Sequence, residues 1–159
     1  MIFDTGSNWL WVMGDDCWTC PRLPRFDEES SSTYVEFPGE EYLYYGSGDV
    51  YGHKATDQVC ITPEFCAKDF RFMNVKGQSG LYALSSSGIV GMSPTHFDFE
   101  SDLFIQKMKE AGAIDQAVFS LSIGMGDVQS KITFGGYDLE TYATGAIKWH
   151  KIEFFSEYW

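Results

Sequence analysis

The sequence has 159 residues, of which 44% are hydrophobic and 17% aromatic, so it can form one domain with its own core and is not a disordered chain. Its formal net charge at pH 7 is −12, which disfavours nucleic acids and anionic membranes as partners. No apolar run reaches the roughly 18 residues of a membrane span, and no basic region precedes an apolar stretch at the start. We therefore expect no membrane insertion and no signal peptide in this chain.

The first element is a turn with a carboxylate, at residues 4–7. An apolar segment, Met1 to Phe3, leads into Asp-Thr-Gly-Ser, and an aromatic segment, Trp9 to Val12, follows. This pattern predicts two strands joined by a tight turn. The two hydroxyl side chains of the turn can donate to the carboxylate of Asp4, which would favour its ionised form. An ordinary surface turn is the alternative, but the apolar strands on both sides argue against it.

The four cysteines fall into two local pairs, Cys17 with Cys20 and Cys60 with Cys66. An even count and close pairing favour two short-loop disulfides, formed in an oxidising compartment. A zinc site is one alternative, but the second pair has a C-x5-C spacing that zinc sites do not favour. A redox pair is the other, but prolines follow Cys20 where that chemistry needs a helix.

The sequence pattern in the middle and at the end of the chain predicts mainly short strands between glycine-rich turns. Residues 41–50 predict a hairpin, and residues 77–87 predict an irregular loop. One helix is predicted, with Ser101 as its cap and Gly112 after its end. The three histidines are scattered and predict no metal site. Further strands are predicted at residues 59–61, 70–73, 119–123, 132–134 and 146–152.

Nine motifs in order resemble the N-terminal lobe of the pepsin-like aspartic proteases, the group that includes pepsin and cathepsins D and E. The resemblance covers essentially the whole chain. It implies an all-β fold, mainly antiparallel, with one short helix, in which residues 1–159 form one lobe of a bilobal protein. The family's first strands and its C-terminal lobe are absent from this sequence. The motifs are Asp4-Thr5-Gly6-Ser7, Trp11-Val12, Cys17/Cys20, Phe26 with residues 31–34, Tyr45-Gly46-Ser47-Gly48, residues 88–91, residues 134–138, Trp149 and Tyr158-Trp159.

The resemblance assigns roles to single residues. Asp4 matches the catalytic aspartate, and Ser7 matches the serine that hydrogen-bonds its outer oxygen. The rest of the active-site turn is Thr5 and Gly6. A flap that closes over substrate matches Tyr45, Gly46, Ser47 and Gly48.

Two further residues are expected to support the flap and a substrate pocket. Trp11 matches a tryptophan whose indole N–H reaches the flap tyrosine, and Ile89 matches an apolar pocket wall. We expect Trp9 and Trp11 to face opposite sides of the sheet. Ser87 stands where the family usually has aspartate, and Gly80 lies near a usual pocket phenylalanine. Both departures bear on specificity more than on chemistry.

The resemblance implies an aspartic endopeptidase that cleaves polypeptides at acidic pH without a cofactor or metal. That chemistry needs two carboxylates sharing one proton, but Asp-Thr-Gly occurs once in this sequence. We expect the second aspartate to come from a C-terminal lobe rather than from a second copy, so the isolated chain would be inactive. The alternatives are a non-catalytic pepsin-fold binding protein and an inactive truncated fragment. The full protein would be secreted or lysosomal/vacuolar.

Overall fold

The computed structural model describes residues 1–96, 100–153, 156 and 158–159. These residues form one large sheet, one small hairpin, two short α-helices and one 3-10 helix, Glu28–Ser30. No helix among these residues is long and apolar enough to cross a membrane. The strands are β1 (Ile2–Asp4), β2 (Leu10–Met13), β3 (Val35–Tyr45), β4 (Gly48–Thr62), β5 (Phe65–Ser79), β6 (Gly88–Gly91), β7 (Phe119–Ser122) and β8 (Lys131–Phe134); the helices are α1 (Phe104–Glu110) and α2 (Leu139–Tyr142).

The large sheet has the strand order β1-β6-β2-β5-β4-β3, and β7 pairs with β8 in the small one. Within the large sheet, β1 runs parallel to β6 and β2 runs parallel to β5. Its other three pairings are antiparallel. The all-β, mainly antiparallel prediction is therefore confirmed, although the sheet is mixed. The parallel pairing of β1 with β6 brings Ile2 opposite Ile89, far later in the chain.

Apolar clusters pack on both faces of the central strands of the sheet, because successive side chains of each strand point to opposite sides. In β2, Leu10 packs in one cluster while Trp11 and Met13 pack in the other. In β5, Phe72 joins the first cluster and Met73 joins the second. The first cluster also holds the buried face of α1, and the second lies on the side of the Asp4 turn. We call them the helix-side core and the turn-side core.

The predicted helix forms as α1, with Phe104 and Met108 buried one turn apart. Gly112 follows its end with a φ of +71°, which a glycine adopts without steric cost. The cap prediction was wrong, since Leu103 occupies the N-cap position. The hydroxyl of Ser101 is buried instead and accepts a hydrogen bond from the Asn8 side chain at 2.8 Å.

The hairpin prediction is confirmed by the pairing of β3 with β4 around residues 46 and 47. The predicted loop at 77–87 begins later, because residues 77–79 complete β5. The predicted strand at 146–152 is wrong, since those residues are not in a strand. Alternating polarity alone does not hold a strand that has no neighbour to pair with.

The expectation that Trp9 and Trp11 face opposite sides was also wrong. Both side chains are buried in the turn-side core. Positions two apart along an extended segment share a face, because the alternation of side chains has a period of two residues.

We expect Met108→Ala to lower the free energy of unfolding by about 2 to 5 kcal/mol. Met108 is fully buried in the helix-side core, so its truncation leaves a cavity beneath α1. Denaturant unfolding measures the change. Lys109→Ala is the matched control, because this neighbour is exposed and its loss should cost little. Equal stability of the two variants would contradict the packing described here.

Candidate active site

The carboxylate of Asp4 is held by the turn that follows it. Asp4 is the last residue of β1. Its Oδ1 accepts the backbone N–H of Gly6 at 2.9 Å, and its Oδ2 accepts the hydroxyl of Ser7 at 2.6 Å. The first bond closes an aspartate-led turn of the kind that fixes a short side chain on its own backbone. Thr5 is exposed, so the donors to the carboxylate are Gly6 and Ser7.

Strand β6 fixes this turn from the core side. The backbone N–H of Met92 donates to the carbonyl of Asp4 at 2.7 Å, and that of Ser93 donates to the carbonyl of Ser7 at 3.0 Å. A Cβ added to Gly91 would lie 2.4 Å from the carbonyl carbon of Asn8. That distance is shorter than any real contact of a Cβ, so glycine is required for this approach.

The β3–β4 hairpin, which we call the flap hairpin after the resemblance above, brings Tyr45 to the turn. Tyr45 pairs with Gly48 across the tip formed by Gly46 and Ser47. The indole N–H of Trp11 donates to the phenolic oxygen of Tyr45 at 2.8 Å, as predicted from the resemblance.

These contacts place the phenol of Tyr45 and the carboxylate of Asp4 in one polar cluster. The phenolic oxygen of Tyr45 accepts from the Trp11 indole and lies beside Ser7. The hydroxyl of Ser7 donates to Asp4. Trp11 and Ser7 therefore connect the flap hairpin to the Asp4 turn by polar contacts.

Burial raises the pKa of Tyr45 to about 12, and the negative charge of Asp4 acts in the same direction. The hydrogen bond from Trp11 opposes this shift, and the neighbouring Ser7 acts in the same sense as Trp11. The folded protein holds the phenolic proton more tightly than the unfolded chain, in which the pKa of tyrosine is about 10. This difference stabilises the folded protein fully below about pH 10, the pKa of tyrosine in the unfolded chain. The stabilisation is lost as the pH rises through about 12, the pKa of Tyr45 in the folded protein.

A cleft of about 310 Å³ lies between the Asp4 turn and the flap hairpin. Tyr42, Tyr44 and Tyr158 give it exposed aromatic walls. The sequence shows the high density of tyrosines at residues 42–45, but its pattern does not indicate that Tyr42 and Tyr44 line the site. Ile89 is 7% exposed and packs in the turn-side core, so its role as a pocket wall stays a prediction. The cleft is lined by Gly6, Ser7, Asn8, Trp9, Tyr42, Leu43, Tyr44, Tyr45 and Tyr158.

A larger cavity of about 490 Å³ opens on the other face of the sheet. Leu10, Phe72 and Phe104 line it together with other members of the helix-side core. It is separated from Asp4 by the sheet and is lined mainly by apolar side chains. We therefore treat the smaller cleft, which lies beside the Asp4 turn, as the candidate site.

Both predicted cysteine pairs are disulfides, Cys17–Cys20 and Cys60–Cys66. Their oxidised state fits a compartment outside the reducing cytosol. Among the described residues, no group of three or more His, Cys, Asp or Glu side chains could hold a metal ion.

We expect Gly91→Ala to lower the free energy of unfolding by about 2 kcal/mol or more, because the new methyl group would collide with backbone rather than with a movable side chain. Gly136→Ala is the control, since a Cβ there would meet no atom within 4 Å. Denaturant unfolding of both variants gives the comparison. A Gly91→Ala protein as stable as the control would contradict the close approach of β6.

The phenol of Tyr45 should ionise later than an ordinary tyrosine. Subtracting the phenolate absorbance titration of Tyr45→Phe from that of the unmodified chain isolates this one group. We expect a midpoint near the pKa of about 12 that burial imposes. A midpoint near about 10 would mean that the hairpin does not bury Tyr45 against the turn.

The family model for eukaryotic aspartyl proteases matches residues 1–159. Vacuolar protease A of Arthroderma otae is 36% identical over 92% of this chain and 39% of that protein. Human gastricsin is 33% identical over 94% of the chain and 40% of its own length. Embryonic pepsinogen of Gallus gallus is 28% identical over 100% of the chain and 42% of its length.

The chain thus spans about two fifths of the length of the curated relatives that it matches. The family match covers the Asp4 turn, the flap hairpin and the β6 segment without a break. The chain belongs to the eukaryotic aspartyl protease family.

Proposed function

We propose that this chain supplies one of the two catalytic aspartates of a pepsin-like aspartic endopeptidase. The observation that carries the proposal is the position of Asp4, whose two oxygens accept bonds from Gly6 and Ser7 beside an open cleft. A carboxylate oriented by its own turn is suited to activate a water molecule. Residues 1–159 would form a single lobe of the complete enzyme.

The reaction needs a second carboxylate. One ionised aspartate takes a proton from water, and the protonated partner donates a hydrogen bond to the carbonyl oxygen of the scissile bond. Two carboxyl groups in contact cannot both ionise readily, so a singly protonated pair persists over an acidic range. The second aspartate would come from a C-terminal lobe of the longer protein. No cofactor or metal takes part.

The flap hairpin and the cleft would bind the polypeptide substrate. The backbone groups of Gly46, Ser47 and Gly48 at the tip can pair with a peptide in extended form, as strands pair at a sheet edge. Strand β3 is the last strand of the sheet, so the tip and this edge are accessible to a peptide. We propose that large apolar or aromatic side chains of the substrate enter the tyrosine-lined cleft.

A non-catalytic binding protein of the same fold is the rival from another class. It would need the cleft but not a carboxylate with two donors, nor the hydrogen bond from Trp11 to Tyr45. Those features favour the protease. An inactive truncated fragment is the remaining alternative for the polypeptide as it stands. The disulfides and the vacuolar name of one relative support a secreted or lysosomal/vacuolar location for the longer protein.

Replacing Asp4 by asparagine in the longer protein tests the proposal. We expect Asp4→Asn to reduce cleavage of an internally quenched peptide at acidic pH by at least about a hundredfold, because the amide cannot accept the proton of water. Asp115→Asn is the control, since this aspartate is exposed and lies outside the cleft. Equal activity of the two variants would refute the role of Asp4. A longer protein that binds peptides but never cleaves them would favour the binding protein.

A further inference from the structure

Gln78, near the end of β5, is a buried polar residue that is not among the hydrogen-bonded residues of the candidate active site. The residue is 4% exposed, so leaving one of its polar atoms without a hydrogen bond would destabilise the folded protein. Its amide Nε2 donates to the carbonyl oxygen of Thr19 at 2.5 Å, and its backbone N–H donates to the Thr19 hydroxyl at 2.8 Å. Its Oε1 accepts the backbone N–H of Leu81 at 2.9 Å.

The bonds from Gln78 to Thr19 reach a fixed loop. Thr19 lies between Cys17 and Cys20, which are joined by a disulfide and are 0% and 6% exposed. The two cysteines pack in the turn-side core with Trp11. The hydroxyl and the carbonyl oxygen of Thr19, which both bond Gln78, therefore belong to a loop that is closed by a disulfide. Both cysteines of that disulfide are buried in the turn-side core.

The bond between Leu81 and Gln78 closes a turn that contacts the tip of the flap hairpin. It spans Ser79 and Gly80, and Gly80 has a φ of +80° that favours glycine. The backbone of these two residues is in close contact with Ser47 and Gly48 at the tip. A Cβ on Gly48 would lie 2.2 Å from the carbonyl oxygen of Ser79, and one on Gly80 would lie 2.5 Å from that of Ser47.

We propose that Gln78 is a positioning residue that ties the tip of the flap hairpin to the disulfide-closed loop. Its side chain fixes the conformation of the turn at Ser79 and Gly80, and the backbone of that turn contacts Ser47 and Gly48. The loop at Thr19 supplies the fixed point. The inference rests on the proposed function only in giving this hairpin a role in substrate binding.

Hydrogen exchange in the 159-residue chain tests the connection without any substrate. In Gln78→Ala, both side-chain bonds are lost, and we expect the amides of residues 45–48 and 79–81 to exchange at least about tenfold faster. The amides of β1 and β6 should keep their protection. Unchanged exchange at the tip of a folded Gln78→Ala chain would overturn the proposal.

Two threonine variants test whether faster exchange at the tip is specific to Thr19 or follows the loss of any threonine hydroxyl. Thr19→Val removes the acceptor used by the backbone of Gln78 and should also speed exchange at the tip. Thr33→Val removes a hydroxyl that donates to Asp57 and should leave the tip unchanged. Equal effects of the two variants at residues 45–48 would count against a specific connection.

Gln78→Glu supplies a rescue that a general loss of stability would not reproduce. A protonated carboxyl group has one O–H donor and one carbonyl acceptor, so it can replace both bonds of the amide. An ionised carboxylate has no donor for the carbonyl of Thr19. We therefore expect tip protection like that of the unmodified chain at about pH 3 and its loss at about pH 7, each compared at the same pH.

This variant also decides the outcome if Gln78→Ala fails to fold. Tip exchange in Gln78→Glu that matches the unmodified chain at both pH values would refute the proposal. Because exchange is measured without substrate, a failure of Asp4→Asn to abolish cleavage would leave this result standing. Conversely, a tip that does not depend on Gln78 would leave the role of Asp4 untouched.

Discussion

The close backbone contact between β6 and the segment around Asp4 is the constraint on which the candidate site depends. Strand β6 is buried over all four residues and lies between β1 and β2. It has a glycine at each end. A Cβ on Gly88 would lie 2.1 Å from the carbonyl oxygen of Trp11, and one on Gly91 would lie 2.4 Å from Asn8. Without side chains at these points, β6 can fix both arms of the turn by main-chain bonds.

Fixing the turn from the core side leaves its carboxylate facing the flap hairpin. Ser7 then contacts two neighbours, because its hydroxyl donates to Asp4 and it lies beside the phenol of Tyr45. Trp11 completes the arrangement from the next strand. A single chain thus builds one oriented carboxylate and one wall of a cleft. Under the proposed function, this carboxylate would be one of the two that peptide hydrolysis requires.

The features that the sequence predicts correctly are local ones. The Asp4 turn, the hairpin around Gly46 and the two disulfides each depend on residues less than about ten positions apart, where turn chemistry and spacing suffice. The family resemblance adds the contact of Trp11 with Tyr45. That contact joins residues 34 positions apart, and no local pattern indicates it.

The features that were missed depend on distant partners. The hydroxyl of Ser101 bonds Asn8, 93 positions away, instead of capping the nearby helix. Gln78 looked like part of a polar loop until its bonds to Thr19 placed it in a buried position. The parallel pairing of β1 with β6 needs a long connection, which periodicity does not reveal. The alternating pattern at residues 146–152 did not produce a strand, because a strand is stabilised by backbone hydrogen bonds to an adjacent strand and not by its own pattern.

The central claim is that this chain holds one half of a two-carboxylate site, and the most direct measurement is cleavage of an internally quenched peptide at acidic pH by the 159-residue chain alone. We expect no cleavage above the rate without protein, since a lone Asp4 lacks the partner that shares its proton. Cleavage by the chain that Asp4→Asn abolishes would contradict this claim. It would mean that a second copy of the chain supplies the other carboxylate.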